Sequence, residues 1–188
     1  MVAAILAPQR LWPQSAKRPP LQGTSCVVPA EEIQVLAAQL KSGSAFPQIV
    51  VTTTQPMDLD VDAFNLQLAT KGQGIPPDVR ADFTKKNKSA CAIKPFQSVP
   101  NLHFINEREE HLIFQKGAIK SWSQFHKEYG KDASIVWLSR VGFNREKTLA
   151  LFHISDGIDR MGAGGSLYVF ERENGRWVLK SYIQTWAT

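Results

Sequence analysis

The chain has 188 residues, 43% of them hydrophobic and 21% charged, which excludes a disordered polymer and lets one domain bury a core without metal or disulfide staples. The net charge of +5 is concentrated in Arg10, Lys17 and Arg18 within an acid-free stretch of 30 residues; removing those three from the 22 basic residues leaves 19 against 17 acids. Beyond that stretch acids and bases alternate (Glu107, Arg108, Glu109; Glu171, Arg172, Glu173), so neither a nucleic-acid-binding stripe nor the roughly 18-residue apolar run of a membrane span is expected.

In chain order, residues 1–28 carry Pro8, Pro13, Pro19 and Pro20 without a periodic apolar face. They read as a disordered leader or as the remnant of a secretory signal that lacks its charged start. A single α+β domain is expected over 29–188. PAEEIQVLAAQLKSG opens it as a helix: Pro29 suits a first turn, Glu31 and Glu32 favour the positive helix end, and Ile33, Leu36, Ala37 and Leu40 share a face. QIVVTTT (48–54) predicts a strand, residues 55–76 an irregular excursion, and Pro77 to Lys86 a second helix. NLHFI (101–105) predicts a strand, after which Asn106 and Glu109 form a capping box for a helix. A helix over 119–129 aligns Ile119, Trp122, Phe125 and Tyr129. The last third holds four β-rich runs, 134–143, 147–155, 166–173 and 176–187, with Asn174-Gly175 as a hairpin turn. The expected fold is N-terminal helices packed on a C-terminal four-stranded antiparallel meander, with a cystatin-like or nuclear-transport-factor-like roll as its finer form.

Strand alternation assigns faces to these runs. An even turn after Phe143 places Ile135, Trp137, Val141 and Phe143 with Ala150, Phe152 and Ile154, and leaves Arg140 beside His153. In the second hairpin Tyr168, Phe170, Trp177, Leu179 and Ile183 oppose Val169, Lys180, Tyr182, Gln184 and Trp186. The mixed faces, bearing Arg140, His153, Lys180 and Tyr182 with Arg160 from the glycine-rich loop, form the candidate binding surface.

For acid–base chemistry the candidates are His153, with Asp156 close in sequence to orient its imidazole and Arg140 beside it, and less directly His126. Ser139 and Ser155 lack a G-x-S-x-G elbow. DGIDRMGAGG (156–165) precedes a strand, without Gly-Lys-Ser/Thr, so it is no phosphate loop and no cofactor is expected. It reads instead as a flexible connection able to close over the mixed face. Asp156, Asp159 and His153 lack a fourth ligand, and no metal is expected. Cys26 and Cys91 have no CxxC partner. They would be a disulfide in an exported protein and free thiols in a reducing cytosol.

LSRVGFN, a polar turn, an Ala-Leu strand, a glycine-rich loop and NGRW with a terminal aromatic strand resemble a family of uncharacterised bacterial proteins, often exported or lipid-anchored. SWSQFHKEY (121–129) matches the aromatic helix that precedes the motif in that family. The resemblance covers residues 119–187, implies an extracytoplasmic location with a truncated or absent signal peptide, and implies no reaction. The reading is thus a bacterial globular domain, non-catalytic, that binds a small ligand or a protein through the mixed sheet face. One alternative is a hydrolase or isomerase using His153, Asp156 and Arg140; another is an inhibitor- or immunity-type interaction domain, which predicts an exposed apolar patch.

Overall fold

The computed structural model describes residues 26–43, 45–97 and 99–188; the leader expected over 1–28 lies outside the described residues except for its last three. The fold begins earlier than Pro29. Val28 is core, its N–H donates to the Ala92 carbonyl (2.8 Å), and the Ala92 N–H donates to Cys26 (3.0 Å). Cys26 and Cys91 form a disulfide.

Among the described residues five helices, α1 (Ala30–Gly43), α2 (Val61–Ala69), α3 (Pro77–Lys86), α4 (Glu107–Phe114) and α5 (Ala118–Tyr129), join seven strands, β1 (Gln48–Val51), β2 (Leu102–Ile105), β3 (Ser134–Leu138), β4 (Gly142–Phe143), β5 (Leu149–Gly157), β6 (Ala163–Glu173) and β7 (Arg176–Ala187). The chain is α+β, but its sheet is an open, mixed one of seven strands rather than a four-stranded meander. The order is β2-β1-β3-β5-β6-β7, with β4 also paired to β5. β1 pairs parallel with β2 and β3, and every later pairing is antiparallel. The short run QIVV, buried at every residue, is the kind of strand that parallel pairing between covered faces selects.

Helices cover both faces. On one, Val35, Leu36 and Leu40 of α1 pack on Val50, Val136, Leu138, Ala150, Phe152 and Ile154. On the other, α4 and α5 supply Ile113, Trp122 and Phe125 against Ile49, Val51, Ile135 and Trp137. On that same face α2 and α3 supply Leu68, Val79 and Phe83 against Leu151, Leu167 and Val169. This two-sided cover departs from the expected roll, whose helices lie against one side. α2 corrects the irregular excursion expected over 55–76: the Asp60 carboxylate caps it by accepting from the Ala63 N–H (3.0 Å), and Val61 and Leu68 are buried. The Asn106–Glu109 capping box is present, with reciprocal bonds of 3.0 and 2.7 Å.

Bulges overturn part of the expected face assignment. Leu138 pairs with Ile154, yet Phe143 pairs with Ala150, so one extra residue stands between the two pairings. Phe143 therefore faces α1 with Ala150, Phe152 and Ile154 as expected, while Ile135 and Trp137 face the opposite side. In β7 the register slips at Lys180 and again at Thr185. Tyr182 and Gln184 thereby join Tyr168, Phe170, Leu179 and Trp177 on the α1 face, and Ile183 and Trp186 go to the other. The glycine-rich segment is also largely sheet. β5 runs to Gly157 and β6 starts at Ala163, leaving only a turn of Ile158 to Gly162.

Candidate functional site

Ser139, Arg140 and Val141 form the break between β3 and β4, and each has a structural partner. The Ser139 hydroxyl donates to the Arg140 carbonyl (2.9 Å) and accepts the His153 N–H (2.8 Å), replacing a ladder bond lost at the bulge. The Arg140 guanidinium is not on a sheet face beside His153. It enters the α1 layer and binds Glu32 through Nε (2.8 Å) and Nη2 (2.7 Å), while the Val141 N–H donates to the same carboxylate (3.0 Å). The Glu32 side chain is 1% exposed and that of Arg140 is 12% exposed. The hydrogen bond to Glu32 raises the Arg140 pKa further above its ordinary value. Lys86 Nζ lies 3.5 Å from Glu32, so one carboxylate serves two cations.

α3 holds the other side of this segment. Asp78, Asp82 and Lys86 recur every four residues and so line one helix face. Asp78 accepts the Arg145 N–H (3.2 Å), Asp82 accepts the Phe143 N–H (2.8 Å), and Lys86 donates to the Val141 carbonyl (3.0 Å). Asn87 accepts the Arg140 N–H (2.8 Å) and donates to the Arg140 carbonyl (3.1 Å). The helix side chains thus satisfy the backbone that a neighbouring strand would otherwise pair. Sequence reading assigned Glu32 to the helix dipole and missed this role. The available signal was the Asp78-Asp82-Lys86 spacing, but nothing local says what that face meets.

His153 projects to the opposite face, paired laterally with Leu167 and, beyond it, Ile183. It is buried. The Thr185 hydroxyl donates to the Gly165 carbonyl (2.9 Å), so it accepts from His153 Nε2 (2.8 Å), which fixes the proton on that nitrogen. Gly165 leaves room for the Trp186 indole and the His153 ring, which a Cβ there would strike. Burial lowers the His153 pKa to about 4. A histidine kept neutral in the fold but free to charge when unfolded takes up a proton on unfolding between about pH 4 and 6.5. Stability therefore falls as pH drops through that window, by about 3 kcal/mol in all. Urea titrations at pH 7 and 4.5 should show His153→Gln losing about 2–3 kcal/mol less than wild type between the two. Asp156, whose carboxyl burial raises, acts in the opposite sense: its contribution is present at low pH and lost as pH rises through its raised pKa. Equal losses in the two proteins would refute the assignment to His153.

The proposed acid–base set does not assemble. Asp156 is three residues from His153 on one strand and faces the α1 side, Arg140 is bound to Glu32, and His153 points the other way. Among the described residues no group of three or more His, Cys, Asp or Glu could hold a metal ion. Asp159 instead accepts the Met161 and Gly162 N–H groups (2.7 and 2.6 Å). His126 donates from Nε2 to the Ile158 carbonyl (2.7 Å), tying α5 to the same turn. Arg160 is exposed in that turn, and Lys180, the extra residue of the first β7 bulge, pairs with Glu171 (2.9 Å). Of the expected binding residues, only Tyr182 lies on the open α1-side surface.

That surface is built by β5, β6 and β7. Tyr182 stacks on Tyr168 with ring centroids 6.0 Å apart, and Tyr168 stacks on Phe152 at 5.5 Å. Asp156, Ser166 and Gln184 continue the same face, and Leu179 flanks it. Tyr182 is 61% and Leu179 44% exposed. Burial raises the Tyr168 phenol pKa, so it remains a hydroxyl donor. α1, which contacts β7, borders a cleft of about 280 Å³ lined by Ile33, Gln34, Ala37, Ala38 and Lys41. The volume falls below the roughly 300–1,000 Å³ usual for small-molecule sites. Among the described residues, no helix is long and apolar enough to cross a membrane. No protein family, curated protein or solved structure matches this chain.

Proposed function

We propose that this chain is a non-catalytic bacterial domain, acting outside the cytoplasm, that binds a protein partner through the α1-side surface of β6 and β7. The observation that carries the reading is the exposed Leu179–Tyr182 strip, continuous with a stacked aromatic row and bordered by Asp156, Ser166 and Gln184. Aromatic residues backed by a rigid sheet give large contact area at small entropic cost, and hydroxyl, amide and carboxyl groups around them supply hydrogen bonds. The exposure of Tyr182 and Leu179 on a sheet face favours a protein over a small ligand and fits the inhibitor- or immunity-type alternative. The disulfide fits an extracytoplasmic location, and that location fits the family resemblance of LSRVGFN and NGRW.

Peptides selected by display against the full-length protein should bind it and lose tenfold or more in affinity for Tyr182→Ala and for Leu179→Ser. Both side chains are exposed, so the fold should persist. Peptides indifferent to both substitutions would sink the reading. So would a thermal-shift screen in which a small metabolite, rather than a peptide, gives saturable stabilisation sensitive to these positions.

A further inference from the structure

The guanidinium that neutralises Glu32 has one arm left over. Arg140 uses Nε and Nη2 on the carboxylate, and Nη1 points at the disulfide, 2.7 Å from Cys91 Sγ and 3.4 Å from Cys26 Sγ. A neutral disulfide sulfur is a weak acceptor, so this donor gains most when the sulfur carries charge. The two residues differ in exposure: Cys91 is fully buried, whereas Cys26 is only partly buried and precedes the short pairing of Val27 and Val28 with Ala92.

We propose that Cys26–Cys91 is an exchangeable disulfide and a modification site for small-molecule thiols, with Cys26 as the sulfur attacked and Cys91 as the leaving group held by Arg140. The thiolate of a low-molecular-weight thiol attacks Cys26 Sγ and forms a mixed disulfide there. The Cys26–Cys91 bond breaks, and its electron pair leaves on Cys91 Sγ as a thiolate beside Nη1. One disulfide replaces another, so no external oxidant is needed. In reverse, the Cys91 thiolate attacks Cys26 and expels the small thiol. A positive donor beside the leaving sulfur lowers its pKa, and a thiol of lower pKa leaves faster. Exposure selects the attacked sulfur and the cation selects the leaving one, so both point in the same direction. Glu32 fixes the guanidinium in place while leaving Nη1 free for this contact.

The test uses the folded full-length protein with reduced glutathione, quenched with acid and mapped by mass spectrometry. Glutathione is expected on Cys26 and not on Cys91, and Arg140→Gln should slow its appearance about tenfold or more. Because loosening of the fold would expose the bond and speed the reaction, a slower rate cannot come from partial unfolding. A second measurement leaves Arg140 intact: in Cys26→Ser, thiolate absorbance near 240 nm should titrate Cys91 below the ordinary thiol pKa of about 8.5. Glutathione on Cys91, an unchanged or faster rate in Arg140→Gln, or a Cys91 pKa at or above the ordinary value would each overturn the proposal.

Discussion

Glu32→Gln is expected to destabilise the protein by about 3–5 kcal/mol, the range found when one partner of a buried ion pair is removed. The substitution keeps the shape of the side chain and removes only its charge. What remains is a guanidinium bound to a neutral amide with little water to solvate it, while the Lys86 ammonium keeps the Asp82 carboxylate at 2.8 Å. Arg140→Met should cost less, because Glu32 keeps Lys86 at 3.5 Å and the Val141 N–H at 3.0 Å. The double variant, with Glu32→Leu and Arg140→Met, should be less destabilised than the sum of the single changes, since an apolar pair of similar size leaves no orphaned charge. Chemical denaturation of the double variant and of Glu32→Leu and Arg140→Met alone, with the disulfide intact, measures the coupling. A loss below about 1 kcal/mol for Glu32→Gln would show that the pair is solvated in solution and does not hold the segment.

Gly142→Ala is expected to cost about 3 kcal/mol or more, although it adds a single methyl group. An added Cβ would lie 2.5 Å from the Phe83 backbone nitrogen and 2.6 Å from its Cα and Cβ. The obstacle is the α3 backbone, which cannot rotate away as a side-chain tip would. The helix must move as a body, and the bonds from Asp82, Lys86 and Asn87 to residues 140–143 would lengthen together. That places the change at the severe end of overpacking. Gly175→Ala provides the contrast: its Cβ meets nothing within 4 Å, and only its φ of +78° opposes the change. That strain costs about 1 kcal/mol. The unfolding midpoints should therefore order as wild type, Gly175→Ala, Gly142→Ala. Reversal of the last two would mean that α3 yields easily at this contact.

These two expectations reinterpret LSRVGFN, the segment that carries Ser139 and the candidate Arg140. Leu138 and Val141 are core, Ser139 repairs the bulge, Arg140 neutralises Glu32, Gly142 admits α3, Phe143 packs on Trp177, and Asn144 accepts the Thr148 and Leu149 N–H groups to close the turn. Each residue of the motif has a role in positioning the chain. A polar residue among apolar ones is as readily explained by a backbone that leaves its ladder as by chemistry, and sequence gives no means of separating the two.

Elements whose signals are local were legible. The capping box at Asn106, the Asn174-Gly175 turn and the helix from Ala30 depend on residues within one turn of each other, and local hydrogen bonding decides them. α2 was missed although Asp60 with Val61, Phe64 and Leu68 carries a cap and an apolar stripe, because flanking proline and glycine obscured a short element. Of the candidate surface, Tyr182 and Gln184 were legible as sharing one mixed face. Alternation predicts faces only while every residue is paired one to one, and the extra residues at 139–141, 180 and 185 each reverse it.

By itself the sequence determined the α+β class, most element positions and the two cysteines available to pair, because periodicity, capping and turn chemistry act over a few residues. Only the tertiary structure decided that β1, β2 and β3 run parallel, that Glu32 and Arg140 meet across 108 residues, and that Arg140 and His153 part to opposite faces. Those outcomes depend on which surfaces become buried together. A buried charge must find its counter-charge wherever the chain brings one, and a bulge forms where helix packing and side-chain hydrogen bonds outweigh one more ladder pair.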